Sequence, residues 1–204
     1  MSTTWICIAS GPSLTKDDVV LTRGFHTIAI NDNYRLAPWA DVLYACDLKW
    51  WDKYHKDVKA SGFAGEKWAW ENNRENVEKV KAHGLQTVSI EGQAGLSKEK
   101  FKVYSGGNSG YQAINLAYHF GARKIILLGY DMQETDGNKH WFGSHPKELG
   151  DPVSWDTWQS YFNVLAEALE KEGVEVINCS RETGLTCFPR MTIEQALKVD
   201  LTDE

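Results

Sequence analysis

Two histidines of one polar segment have the residue type and spacing best suited to moving protons. His140 and His145 lie in "MQETDGNKHWFGSHPKELGDPVS", which spans residues 132–154 between two apolar stretches. Imidazole titrates near neutral pH and therefore serves as a general base or acid. A polar segment of this length is typical of a lid or a binding loop. We predict that residues 132–154 form a lid loop and that His140 or His145 is a base; the alternative is that both histidines lie on the surface.

Small and polar residues follow several apolar runs, at the points where strands of a parallel sheet would end. Glycine lets a backbone approach a ligand closely, and the first N–H groups of a helix suit phosphate. "ASGPSL" follows the first run, and "SGGNSG" precedes a helix. Neither matches a Walker loop or a GxGxxG fingerprint. The predicted ligand-binding residues are Ser10, Gly11, Pro12, Ser13, Asn31, Asp47, Ser105, Gly106, Ser109, Gly110, Gly129, Asp131 and Asn178.

Asp131 ends the most apolar run of the chain, "KIILLGYD". A carboxylate at this point could close a turn, accept a hydrogen bond from a ribose or a base, or hold a metal ion. The residue type alone leaves these interpretations open. Asp47 also ends a strand-like run, and there a turn or a cap is favoured.

The predicted site residues come together if strands alternate with helices along the chain. The predicted strands are 4–10, 25–31, 41–47, 66–71, 85–91, 124–131 and 174–180. The predicted helices are 48–61, 74–84, 111–121 and 155–173, with one more opened by Pro12 and Ser13 and one at the end of 181–199. Several strands are apolar on both faces, which is typical of a sheet covered by helices on both sides. We predict a doubly wound, mostly parallel α/β fold in three layers, one domain over 1–204, with 62–104 as a candidate small insertion.

Composition narrows the classes of partner and compartment. The net charge of -6 argues against unaided binding of duplex nucleic acid, which needs several cations. Four cysteines without a CxxC pair indicate reduced thiols rather than a zinc ribbon. No apolar run approaches the length of a membrane span and no signal peptide is recognised, so we expect a cytoplasmic protein. The nine tryptophans should be core anchors, with a few in a ligand groove or a partner interface, and a homo-oligomer stays open.

The order of these motifs resembles that of bacterial sialyltransferases of glycosyltransferase family 42. Related Rossmann-like proteins are the motility accessory factors and the archaeal-type 6-hydroxymethylpterin diphosphokinases, and similar short proteins occur in tailed phages and prophages. The resemblance covers residues 5–47 and 104–195, through "IASGPSL", "AIND", "SGGNSGYQAINLAYHFGARKIILLGYDM", the histidine-bearing loop and "VINCSRETGL". It implies a CMP-sugar donor over the strand ends and metal-independent transfer with a lid histidine as base. The donor contacts that it implies are Gly11, Pro12, Ser13, Asn31, Ser105 and Gly106 or Ser109 and Gly110, Gly129 and Asp131.

This chain departs from the family pattern at three places. Ala9 and Ser10 stand where the family has glycine and asparagine or aspartate, Asp47 stands near a family asparagine, and no lid tyrosine follows Asp131 until Tyr161. The departures weaken the case for sialic acid more than the case for a nucleotide or diphosphate ligand. Two alternatives stay open: a Mg²⁺-dependent pterin or nucleotide diphosphokinase with Asp131, Asp47 and Asp32 as candidate ligands, and a phage protein that binds a nucleotide or a partner without catalysis.

Overall fold

A single parallel sheet forms the centre of the molecule. The computed structural model describes residues 3–70, 77–150 and 154–200. All neighbouring strands run parallel in the order β6-β5-β4-β3-β2-β1-β7-β8. The strands are β1 (Thr4–Ile8), β2 (His26–Ile30), β3 (Val42–Tyr44), β4 (Glu66–Trp70), β5 (Gln86–Gly92), β6 (Lys102–Tyr104), β7 (Lys124–Leu128) and β8 (Glu175–Asn178).

Helices cover both faces of this sheet, so the predicted three-layer α/β architecture is confirmed. The helices are α1 (Lys16–Val20), α2 (Leu48–Ala60), α3 (Val77–His83), α4 (Ser109–His119), α5 (Trp155–Lys171) and α6 (Ile193–Asp200). Residues 74–76 of the predicted helix 74–84 lie outside the described residues.

Alternation along the strands divides the core into two layers. Cys7 of β1 packs with residues of α4 and α5, whereas its neighbours Ile6 and Ile8 pack with residues of α1, α2 and α6. Successive strand side chains point to opposite faces, so a strand that is apolar throughout can serve both layers. The apolar strands of the sequence therefore lie at the centre of the sheet.

The strand order reverses between β1 and β7. The chain adds β2 to β6 on one side of β1 and then places β7 on its other side. In open α/β sheets, ligands bind at the carboxyl ends of the strands beside such a reversal. The loops after β1 and β7, which hold Gly11 and Asp131, border this point.

The structure departs from the predicted elements in the middle of the chain. Lys102–Tyr104 forms the edge strand β6 inside the glycine-rich stretch 92–110, which carries no strand in the prediction. Only Val103 of this strand is buried, so three residues give too short a pattern to recognise. Segment 62–104 contributes β4, β5 and β6 to the common sheet. No helix in the described ranges is long and apolar enough to cross a membrane.

Candidate functional site

A cleft of about 420 Å³ opens at the carboxyl ends of the strands. Its walls come from the ends of β1, β2, β3, β4, β6 and β7, the start of α4 and the lid loop. Most of the sequence-predicted site residues meet there. Those that line the cleft are Ser10, Gly11, Asn31, Asp47, Ser105, Ser109, Gly110, Gly129, Asp131, His140 and His145.

The segments that follow β1 and β7 contact each other at two glycines, Gly11 and Gly129. The Gly11 N–H donates to the Gly129 carbonyl over 2.7 Å. A Cβ on Gly11 would lie 2.1 Å from Oδ1 of Asp131, so only glycine allows this approach. The structure thus brings Gly11 and Asp131 together on one side of the sheet.

Asp131 uses its carboxylate to close the turn after β1. The backbone N–H and the hydroxyl of Ser13 donate to its two oxygens over 2.8 and 2.9 Å, and the hydroxyl of Thr135 donates over 3.3 Å. The residue is 1% exposed. Burial raises the pKa of Asp131, and the hydrogen bonds from Ser13 offset only part of that rise. Of the three interpretations of Asp131, the contacts show the turn-closing one.

The first turn has little left to offer a phosphate. The N–H groups of Gly11, Ser13 and Leu14 all donate within the protein, and Pro12 has none. Pro12 and Ser13 also lie outside the cleft wall, as does Gly106. Phosphate-binding amides in this cleft must therefore come from another element.

The start of α4 supplies such amides. Asn108 caps the helix, because its Oδ1 accepts from the Tyr111 N–H over 2.9 Å and its Nδ2 donates to the Gly106 carbonyl. The N–H groups of Ser109 and Gly110 have no acceptor within the described residues. Both residues line the cleft, so the positive end of an 11-residue helix faces it.

Ser10 adds a second and independent indication of a ligand. Its side chain is only 8% exposed, and its buried Oγ has no hydrogen-bond partner in the described part of the chain. A buried hydroxyl without a partner costs free energy and calls for an explanation such as a missing ligand. Ser10 lines the same cleft as the start of α4.

The lid loop brings both predicted histidines to the cleft. The rings of His140 and His145 lie 4.6 Å apart, and Phe142 stacks on His140 at 5.0 Å. The indole N–H of Trp141 donates to Asn33 Oδ1 over 2.9 Å. The histidines therefore line the site as predicted, on a loop that is tied to the end of the sheet.

Asn31 and Asp47 lie at the edges of the cleft in different roles. Asn31 adopts a left-handed backbone (φ 51°), and its carboxamide has no partner among the described residues. Asp47 caps α2 by accepting the Lys49 N–H over 2.8 Å. Asn31 is therefore free to bind a ligand, whereas one oxygen of Asp47 is already engaged.

Asn178, at the end of β8, turns away from the cleft. It is fully buried, donates to the hydroxyl of Thr183 over 3.2 Å and accepts the Ser180 N–H over 3.0 Å. Its carboxamide holds the turn after β8, and it does not line the cleft. Asn178 thus links one backbone N–H and one side-chain hydroxyl of the segment that follows β8.

The aromatic wall of the cleft is not predicted residue by residue. Trp70 at the end of β4 lines the cleft together with Trp155 and Trp158 of α5. The rings of Trp155 and Trp158 meet edge to face at 5.4 Å, and Trp158 packs against Gly107, where a Cβ would lie 2.4 Å from its Nε1. The sequence signals for this wall are the number of tryptophans and their clustering in the middle of the chain and in one late segment.

Cys46 and Gln112 also line the cleft, and the sequence did not indicate either of them. Cys46 lines the cleft, but burial raises its pKa to about 11, so it is a neutral thiol near pH 7. Gln112 donates to the Ser105 carbonyl over 2.9 Å and accepts from the hydroxyl of Tyr44. Neither residue supplies a nucleophile or a base.

The three carboxylates that the diphosphokinase alternative would use for Mg²⁺ all have partners within the protein. Asp131 is engaged by Ser13, Asp47 caps α2, and Asp32 is buried with Arg35 at 3.1 Å and the Trp50 indole at 3.2 Å. The described residues contain no group of three or more side chains that could hold a metal ion. Mg²⁺ in phosphate-transfer sites is commonly held by one or two carboxylates together with the substrate phosphates, so the Mg²⁺-dependent alternative stays a prediction.

No protein-family model, curated protein or solved structure matches this chain. The resemblance of the motifs to a family thus stays a prediction.

Proposed function

We propose that the cleft binds a nucleotide sugar of the CMP-sugar type and transfers its glycosyl group to an acceptor hydroxyl. One observation carries the proposal: unengaged phosphate donors at the start of α4 and two lid histidines line the same cleft. Phosphate binding and proton transfer are the two tasks that such a transfer requires. The motif resemblance agrees with this assignment.

The phosphate end of the donor would lie at the start of α4. The N–H groups of Ser109 and Gly110, the hydroxyl of Ser10 and the carboxamide of Asn31 can donate to its oxygens. These donors are held by a capped helix and by strand ends, so little reorganisation is needed when charge develops. They would stabilise the departing nucleoside monophosphate without a metal ion.

The proposed step moves one proton and one glycosyl group. The acceptor hydroxyl gives its proton to an imidazole nitrogen of His140 or His145, and its oxygen forms the new bond to the anomeric carbon. The bond from that carbon to the phosphate oxygen breaks, and its electron pair leaves with the nucleoside monophosphate. The histidine ends as imidazolium and returns the proton to water.

A ligand panel with and without Mg²⁺ tests the binding half of the proposal. Thermal unfolding is followed with CMP, UDP, GDP and ATP at millimolar concentration. We expect CMP to raise the unfolding temperature equally with and without Mg²⁺. A shift that requires Mg²⁺ would favour the diphosphokinase alternative, and no shift with any nucleotide would favour a protein that acts without a nucleotide.

Release of CMP from a CMP-sugar tests the catalytic half. His140→Ala and His145→Ala are compared with His26→Ala. His26 is the first residue of β2 and lies at the end of that strand away from the cleft. We expect one lid variant to lower kcat by about 100-fold, because a general base contributes at least that factor. Wild-type rates in both lid variants would contradict the assignment of the base.

A further inference from the structure

A single buried carboxamide joins the lid loop to two strands. The Nδ2 of Asn33 donates to the carbonyls of Ile8 and Ile30, both over 2.9 Å, at the ends of β1 and β2. Its Oδ1 accepts the indole N–H of Trp141 over 2.9 Å. Asn33 is fully buried, and both hydrogens of its amide are used on backbone carbonyls. Its oxygen therefore has a fixed position and direction between the two strand ends.

Trp141 is also held through its main chain. Its backbone N–H donates to the Ser10 carbonyl over 3.0 Å, just beyond the end of β1. The side chain and the backbone of this one residue thus bind two points of the sheet's carboxyl edge. A loop as long as residues 132–154 would otherwise sample many positions relative to the sheet.

A chain of ring contacts leads from Trp141 to the histidines. Trp141 meets Phe142 edge to face at 5.4 Å, Phe142 stacks on His140 at 5.0 Å and an angle of 6°, and His140 contacts His145 at 4.6 Å. Phe142 also contacts His145 at 5.1 Å. These contacts link the position of Trp141 to the positions of both imidazoles over the cleft.

We infer that Trp141 is a positioning residue for the lid histidines. Its indole N–H, bound to the fixed oxygen of Asn33, sets His140 and His145 over the strand ends. The catalytic consequence rests on the proposed transferase function, whereas the positional claim does not. Misplacement of a reacting group by about 1 Å can cost up to about 100-fold in rate, so such a contact has a measurable effect.

The substitution Trp141→Phe removes this hydrogen bond and keeps an aromatic ring against Phe142. The matched control is Trp68→Phe, which removes another indole N–H, the one that donates to Glu66 over 2.8 Å on β4. Both variants are compared with the wild type by hydrogen exchange of the lid amides and by NMR of the histidine ring protons.

We expect Trp141→Phe to speed exchange of the lid amides by about threefold to tenfold, the factor that corresponds to one neutral hydrogen bond. The ring resonances of His140 and His145 should shift and broaden. Trp68→Phe should leave the lid signals as in the wild type. Lid exchange and histidine resonances unchanged in Trp141→Phe would overturn the inference.

Kinetics extend the test if the wild type releases CMP from a CMP-sugar. Trp141→Phe should then lower kcat by about tenfold and change KM for the donor by less than about twofold, because the donor contacts lie on other elements. Equal losses in kcat for Trp141→Phe and Trp68→Phe would contradict a role for Trp141 in particular. An inactive wild type would contradict the proposed function, and the exchange and NMR results would still decide the inference.

Discussion

At the scale of single residues, the site depends on which polar groups already have a hydrogen-bond partner in the described chain. Asp131 satisfies the turn after β1, and the hydroxyl of Ser10 is left without a partner in the described chain. A buried carboxylate with three donors is a structural group, whereas a buried hydroxyl with none is available to a ligand. Asp131 therefore closes the turn beside the cleft, whereas Ser10 can bind a ligand.

Gly11 gives a prediction at this scale. Gly11→Ala should lower the free energy of unfolding by about 3 kcal/mol, because the new Cβ would overlap Asp131 and the Gly129 carbonyl. Urea unfolding monitored by tryptophan fluorescence measures this loss. Gly137→Ala is the control, since its Cβ would meet nothing within 4 Å and only its φ of 74° opposes a side chain. It should cost about 1 kcal/mol. Equal costs for the two variants would show that the contact between β1 and β7 is looser than described.

At the scale of elements, α4 and the lid loop have separate tasks. The helix brings unpaired amides to the cleft from one side, and the lid brings two imidazoles from the other. The lid is held at its middle by Trp141 and near its end by an ion pair between Lys53 of α2 and Glu148. Exposed ion pairs of this kind contribute little, so the partly buried Trp141 contact is the stronger restraint.

The cap of α4 separates stability from ligand binding. Asn108→Asp keeps an acceptor for the Tyr111 N–H and loses the donor to the Gly106 carbonyl, as the control Asn108→Ser also does, so both variants should lower the melting temperature by about 2–4 °C. The added negative charge beside the Ser109 and Gly110 amides should weaken CMP binding by at least about tenfold. Isothermal titration measures the affinity, and Asn108→Ser, a neutral cap, serves as the control. Unchanged affinity in Asn108→Asp would place the phosphate elsewhere in the cleft.

At the scale of the whole molecule, the strand order gathers distant segments at one edge. The ends of β1, β2, β3, β4, β6 and β7 reach the same cleft because all strands run in one direction. The same packing buries Cys7 and Cys179 and half-buries Cys46 and Cys187. Burial raises the pKa of Cys7 and Cys179 to about 12 and that of Cys46 and Cys187 to about 11.

These thiols give a pH-dependent prediction. In the unfolded chain a thiol has a pKa of about 8.5, so the folded pKa values are raised. The stability linked to them is complete below about pH 8.5 and is lost as the pH rises through the folded values. The free energy of unfolding should therefore decrease between pH 8.5 and pH 11, as measured by urea unfolding.

Alkylation by iodoacetamide checks the same point thiol by thiol. The four native cysteines should react slowly at pH 7.5 and all react in urea. Val164→Cys, on the exposed side of α5, should react fast and with an ordinary pH dependence. Rapid labelling of Cys46 in the folded protein would contradict its burial and would reopen the question of a nucleophile in the cleft.

The sequence by itself determined the class of fold and most of the strand ends. Apolar runs such as "KIILL" indicate buried parallel strands because a strand that is apolar at every position can be covered on both faces. This pattern can be recognised from neighbouring residues alone. The same local reasoning identifies the lid loop and its histidines. It failed for β6, where three residues give no readable period.

Only the tertiary structure decided which polar groups are engaged. Ser13 and Asp131 are 118 residues apart, and the contact that closes the turn depends on β1 and β7 lying side by side. Asn178 turns into the protein for a local reason, whereas Trp70, Trp155 and Trp158 share one wall because β4 and α5 meet the cleft from different layers. The type of a residue determines which hydrogen bonds it can make. Which partner it has depends on the elements that pack beside it, and these are often distant in the chain.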